Sequence, residues 1–226
     1  ATGETPILTR PAGNPENNME FQNVSYLVIN GLVFDGGSAG VRLMSGHHLT
    51  FEGNTIRNVE ANALTANDSS MDALTLRKNH IHATGLSVGA PSEGMYLGCH
   101  TGTCIMTNSL IEGNYIHDLR AESNDGIEIK VGSYNNIVRD NVIHSKAMGG
   151  AYPCIFVYGG GAGLNTVEGN VMWDCGTDGI YAVSDAIVRN NIVFNSGSGV
   201  ASYPHVVVAG MKNVTIVNNT FYNNTD

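Results

Sequence analysis

The chain has 226 residues, a formal net charge of −9, 14% charged residues, 28 glycines and 26 asparagines. That length suits one well-cored domain, and 11 Lys+Arg against 20 Asp+Glu exclude the basic surface a nucleic-acid partner needs. No apolar run approaches the ~18 residues of a membrane span, and long amphipathic stretches are missing, which argues against a helical bundle, a coiled coil or a Rossmann domain.

Residues 1–20, with Pro6, Pro11 and Pro15, are expected to form an irregular segment or partial cap. Nothing at Ala1 resembles a signal peptide, which leaves a mature secreted form open. Residues 21–226 read as one repetitive domain.

From there one phrase recurs: an apolar pair, polar or small residues, then Asn-x-apolar. Its copies include Leu49-Thr-Phe-Glu-Gly-Asn54-Thr-Ile56, Leu110-Ile-Glu-Gly-Asn114-Tyr-Ile116 and Ile187-Val-Arg-Asn-Asn191-Ile-Val193. With a degenerate first copy at Gly31, the anchors are 31, 54, 79, 114, 141, 170, 191 and 219, spaced by 21 to 35 residues. Between anchors lies a second phrase of small residue, apolar, any, apolar, as in Gly94-Met-Tyr-Leu97, Gly126-Ile-Glu-Ile129 and Cys154-Ile-Phe-Val157. Its period of two predicts short strands with one buried face. The expected fold is all-β: a right-handed parallel β-helix, a solenoid of about eight coils whose stacked neighbours bury what no coil buries alone. The Asn anchors are expected to form an inward ladder at a turn. No cap is evident at the C-terminal end, so either a fragment or end-to-end pairing is the expectation.

Stacking turns the second phrase into outward columns. One holds Glu93, Asp125 and Asp178, the next Tyr96, Glu128, Phe156 and Tyr181, and a third Lys130 and Tyr158. Exposed aromatics beside carboxylates suit sugar rings and hydroxyls. Glu93 and Asp125 fall on adjacent rungs, roughly 5 Å apart, and repel unless a proton or cation lies between them. Calcium is the natural hard cation there, with Asn124 and Glu128 completing part of its shell. Lys130 follows these carboxylates as a candidate base or as an ionic contact for a uronate.

A further column, three residues after each anchor, runs Phe34, Arg57, His82, His117, His144, Trp173, Phe194 and Tyr222. Straight stacking of three histidines favours an aromatic ladder over a tetrahedral zinc site. Cys99 and Cys104 could close a small loop, with Cys154 and Cys175 as a second pair, although four cysteines allow three pairings. The loop around Cys99–Cys104, inside the longest interval, is the expected binding lip. Glycosylation acceptor sequences at Asn23, Asn67, Asn213, Asn218 and Asn223 join the cysteines in favouring a secreted or extracellular protein, the periplasm included.

These repeats resemble the pectate-lyase-like superfamily of parallel β-helices over residues 21–226. More narrowly, Asp125-Gly-Ile-Glu-Ile-Lys-Val-Gly-Ser-Tyr-Asn-Asn-Ile-Val-Arg-Asp-Asn141 is similar to a segment of the alginate lyase and chondroitinase B family. The resemblance implies calcium ligation by Asp125 and Glu93, with Lys130 as Brønsted base in β-elimination on an acidic, uronate-containing polysaccharide. The family's partner arginine has no counterpart in residues 154–158, which leaves its place to Tyr158 or His100, and Tyr158 or Tyr96 to protonate the departing oxygen. Tyr96, His100, Phe156, Tyr181 and Asp178 are the expected substrate contacts. Two other readings stay open. One is a glycoside hydrolase using Glu93 with Asp125 or Glu128 with Asp178. The other is a non-catalytic carbohydrate-binding or adhesion solenoid.

Overall fold

The structure, a computed structural model, describes residues 4–120, 123–144, 152–208 and 210–225. Its strands run parallel and are two to five residues long, in four sheets of nine, eight, eight and four strands. The chain visits the sheets in turn and returns one rung further on, as the repeat predicts. The nine-stranded sheet holds the strands that follow the Asn anchors, from Ile7–Arg10 to Thr220–Tyr222. Ile7–Arg10, inside the segment expected to be irregular, pairs in parallel with Val33–Gly36. A second sheet, called the site sheet below, runs from Met19–Phe21 through Leu64–Ala66, Met95–Leu97, Ile127–Ile129, Ile155–Val157 and Asp178–Ala182 to Ser198–Ala201.

Alternation sends every second side chain inward, where like residues stack. One core column runs Ile29, Phe51, Leu76, Ile111, Val138, Val167 and Val188 in consecutive register. All of these are buried. No strand could hold its apolar face out of water alone, so the core exists only through stacking.

The corners explain the asparagines. Asn58, Asn108, Asn135, Asn190 and Asn195 are among those at positive φ, a left-handed conformation that Asn tolerates better than most residues. The anchors do the second job. The side-chain Nδ2 of Asn79 donates to Asn114 Oδ1, Asn114 to Asn141, Asn141 to Asn170, Asn170 to Asn191 and Asn191 to Asn219, each at 2.9 Å. Each Oδ1 also accepts a backbone N–H from the preceding coil, as Asn141 does from Asn114 at 2.9 Å. Buried amides are thereby paired at every rung.

Two details depart from expectation. In the first coil the ladder position belongs to Leu32, not Gly31: the Leu32 N–H donates to Asn54 Oδ1 at 3.0 Å. Phe34 therefore faces Ile56 in the core, and Asp35 takes the outer place opposite Arg57. A second internal ladder, through Ser109, Asn136 and Asn165, had no counterpart in the sequence reading.

Candidate functional site

The segment Asn124-Asp125-Gly126-Ile127-Glu128-Ile129-Lys130 builds the site by alternation. Ile127 and Ile129 enter the core, so Glu128 and Lys130 share the other face. Gly126 is required by packing: a Cβ there would meet the Cys154 carbonyl oxygen at 2.6 Å and Ile143 Cγ2 at 2.6 Å. Backbone bonds fix the neighbouring rung, with the Gly94 N–H donating to the Asp125 carbonyl at 2.9 Å and Met95 to Gly126 at 3.0 Å. Tyr96, Glu128, Phe156 and Tyr181 then lie opposite one another on consecutive rungs, in the predicted register.

Three carboxylates converge. Ligand atoms of Glu93, Asp125 and Glu128 all lie within 4.8 Å of one another. Glu93 is 3% exposed, Asp125 1% and Glu128 2%. Lys130 Nζ bonds Glu128 Oε1 and lies 4.1 Å from the centre of the Tyr96 ring and 4.9 Å from that of Tyr158. The ammonium thus sits against two aromatic faces and one carboxylate. The Glu128 charge also bears on Tyr158, whose phenol burial and that charge hold protonated. Ser123 Oγ donates to Glu93 Oε1 at 2.9 Å.

The cluster carries too much negative charge for one lysine. Glu93 Oε2, Asp125 Oδ1, Glu128 Oε2 and both amide atoms of Asn124 are buried without a hydrogen-bond partner. Burial, then the neighbouring Glu128, pushes the Glu93 carboxyl up to about 7. Burial, Glu128 and Glu93 together raise Asp125 well above the usual carboxylate range. Burial and the Glu128 charge raise both Tyr96 and Tyr158, so both phenols keep their protons. Orphaned oxygens from three carboxylates and an amide are the donor set of a hard cation such as calcium, and the residues present fit it.

The aromatic half of the expected surface is not exposed. Phe156 is 5% exposed, Tyr158 3% and Tyr181 4%. The cause is residues 203–208, which fold back over them. His205 stands edge-on to Tyr158 at 4.9 Å and to Phe156 at 5.6 Å, and Tyr203 stacks on Tyr181 at 4.2 Å. Val207 and Val208 complete the packing. The sequence signal for this segment is Pro204-His205-Val206-Val207-Val208 inside an anchor interval, an apolar stretch in need of a surface to cover. Asp178 is buried one rung beyond Pro153 and accepts from Ser198 Oγ, apart from the carboxylate trio. His100 is exposed on the loop closed by the Cys99–Cys104 disulfide, 6.0 Å from the Tyr158 ring. Cys154 and Cys175 form the second disulfide.

On the nine-stranded sheet His82, His117, His144, Trp173 and Phe194 stack with interplanar angles of 6°, 6°, 13° and 8°. This is the aromatic ladder that the column predicted. Among the described residues the Glu93, Asp125 and Glu128 trio is the cluster with metal-binding geometry.

A family model for a right-handed β-helix region matches residues 98–226. The crystal structure of an alginate lyase from Paenibacillus sp. str. FPU-7 aligns with a TM-score of 0.71 at 20% identity, over 96% of this chain and 82% of that one. At that identity the likeness is one of fold. No curated protein matches the chain.

Proposed function

The chain belongs to the right-handed β-helix family, and from that premise we propose that it is a polysaccharide lyase, cleaving a uronate-containing polymer by calcium-assisted β-elimination. The observation that carries this reading is the meeting of Lys130, two protonated tyrosines and the partnerless oxygens of Glu93, Asp125 and Glu128 on neighbouring rungs. Glu93, Asp125 and Glu128, with Asn124, would hold the cation. When bound, calcium supplies Lewis-acid polarisation of the uronate carboxylate.

The chain's own residues do the rest. Lys130 Nζ, as the neutral amine, takes the proton from C5 of the uronate, the electron pair left behind forms the C4–C5 double bond, and the C4–O bond breaks. Tyr158 or Tyr96 gives its proton to the departing oxygen. Glu128 orients Lys130, to which it is bonded. His100, on its disulfide-closed loop, adds a substrate contact at the lip. Phe156, Tyr181 and Asp178 belong to the same face as supports beneath residues 203–208.

One observation favours a second reading. A Glu93 carboxyl at about 7 is the state of a glycosidase acid, with Asp125 or Glu128 as its partner. A non-catalytic carbohydrate-binding solenoid is the third. The two disulfides fit a protein acting outside the reducing cytosol. No helix among the described residues is long and apolar enough to cross a membrane.

The test is incubation with alginate, pectate and glycosaminoglycans, in calcium and then in chelator, following the ultraviolet absorbance of unsaturated uronate. A calcium-dependent rise is expected. New reducing ends without that absorbance would replace the lyase by the hydrolase. Binding with no product at all would leave the binding solenoid.

A further inference from the structure

The groove over the carboxylates is open at one end and closed at the other. Its floor is the outer face of the site sheet. One flank is the loop of residues 85–91, with Val88 fully exposed and Pro91 bridged to Ser123. The opposite flank is the loop of residues 98–105, with exposed His100. Between these two loops a long substrate would run along the solenoid axis. Towards the N-terminal coils Thr65 is itself buried, and the exposed floor is carried by the larger side chains on either side of it in register, Tyr96 and Arg42. At ~4.8 Å per rung that is roughly 10 Å beyond Tyr96. Arg42 there pairs with Asp68 at 3.1 Å and is 35% exposed, a basic contact available to a distant uronate.

Towards the C-terminal coils the floor is covered on the very next rung. Phe156 lies opposite Glu128, and Tyr158 follows on the same strand side as Lys130. His205, Val207 and Val208 cover both rings. The segment is fixed by its own bonds: the Val208 N–H donates to the His205 carbonyl at 3.0 Å, and Tyr181 Oη donates to the Tyr203 carbonyl at 3.1 Å. Polymer on that side would have to displace the Tyr203 and His205 rings from the floor rings they pack against.

We infer that residues 203–208 are an end wall, and that the protein acts on the termini of uronate chains rather than on their interiors. This rests on the lyase reading above and deepens it. A chain interior needs floor on both sides of the cleaved bond, whereas here one side offers about one rung, ~5 Å. A chain end needs floor on one side only. The wall is part of the specificity, with His205 and Val208 as its determining side chains.

The experiment digests high-molecular-mass alginate and polygalacturonate and follows double bonds, viscosity and product size together. End-directed cleavage gives the smallest unsaturated products from the first minutes, while viscosity barely falls. His205→Ala with Val208→Ser opens the wall, and the viscosity lost per double bond then rises severalfold. The same two polymers are titrated with the Lys130→Ala protein, scoring the number of proteins bound per chain by sedimentation. Occupancy limited to chain ends supports the wall even if the double variant fails to fold. Early mid-sized products, or coating along the chain, overturn the wall and leave the lyase reading standing. Absence of both double bonds and binding overturns the lyase reading and the wall with it.

Discussion

Two outer columns of this solenoid handle charge in opposite ways. On the sheet running from Val28–Asn30 to Val214–Val217, Glu52, Arg77, Glu112, Arg139, Glu168 and Arg189 face one another on consecutive rungs with alternating sign. Each arginine pairs with a glutamate, at 2.9 Å for Arg77–Glu52, 2.6 Å for Arg139–Glu112 and 2.7 Å for Arg189–Glu168. These side chains are half-exposed, and water screens what the pairing leaves over. On the site sheet Glu93, Asp125 and Glu128 have the same sign, are buried, and keep partnerless oxygens. A repeat that stacks like positions can cancel charge rung by rung, and on one face this chain does so. Where it instead stacks like charges out of water, the surplus marks a place meant for something from outside.

The largest expected effect breaks the charged cluster at its cation. Lys130→Ala removes the base and lowers the elimination rate by about 10²–10⁴-fold, a typical general-base contribution. Double-bond formation checks it, with circular dichroism to show that the fold persists. A variant near wild-type rate would take Lys130 out of the chemistry.

Next is the cation expected among the carboxylates. Calcium at ~100 times its Kd should raise the melting temperature by about 5–10 °C. Asp125→Asn should lose most of that rise and yet melt above the wild type in chelator, since one buried like charge is gone. Differential scanning fluorimetry reads both. The comparison fails if calcium shifts neither protein.

The third effect is a pH dependence in chelator. Glu93 is raised in the fold to about 7 from 4.5, so the native state holds a proton that the unfolded chain releases earlier. Its stabilising share is complete below about 4.5 and disappears as pH rises through about 7, by up to ~3 kcal/mol. Urea titrations of wild type and Glu93→Gln across that window should converge at low pH and diverge at neutral pH, the variant being the more stable. Parallel profiles would remove Glu93 as the source.

The smallest effect comes from the compensated column. Arg139→Ala should cost about 0.5 kcal/mol, less at high salt, measured as a shift in the urea midpoint. A loss of several kcal/mol would mean that the alternating column is as tightly coupled as the buried one.

Much of the fold and part of the site were legible because both obey local rules. Period-two alternation and the recurrence of Asn anchors fix which side chains share a rung, so Tyr96, Glu128, Phe156 and Tyr181 fell into register as read. Glu128 and Lys130 sit two apart on one strand, which already puts them on one face. Exposure was not legible. The segment covering Phe156 and Tyr158 arrives about two coils later in the chain, and periodicity contains nothing about loops that fold back. The slip from Leu32 to Gly31 has a chemical cause: without an amide the first coil has no side chain to mark its ladder place, and the backbone N–H of Leu32 fills it. The Glu/Arg alternation was present in the residues just before each anchor, but only the register shows that they touch.

The asparagine column has a sense of direction. From Asn54 to Asn191 each amide nitrogen donates to the next amide on the C-terminal side as well as to a backbone carbonyl of the coil before, and every amide carbonyl accepts from the side before. The dipoles therefore add along the axis, as peptide dipoles do in a helix, and each bond polarises its neighbours. The column behaves as a polarised wire whose middle links matter more than its ends. Asn141→Ala should accordingly destabilise the protein more than Asn219→Ala, although each removes one amide, because the former splits the wire and the latter only shortens it.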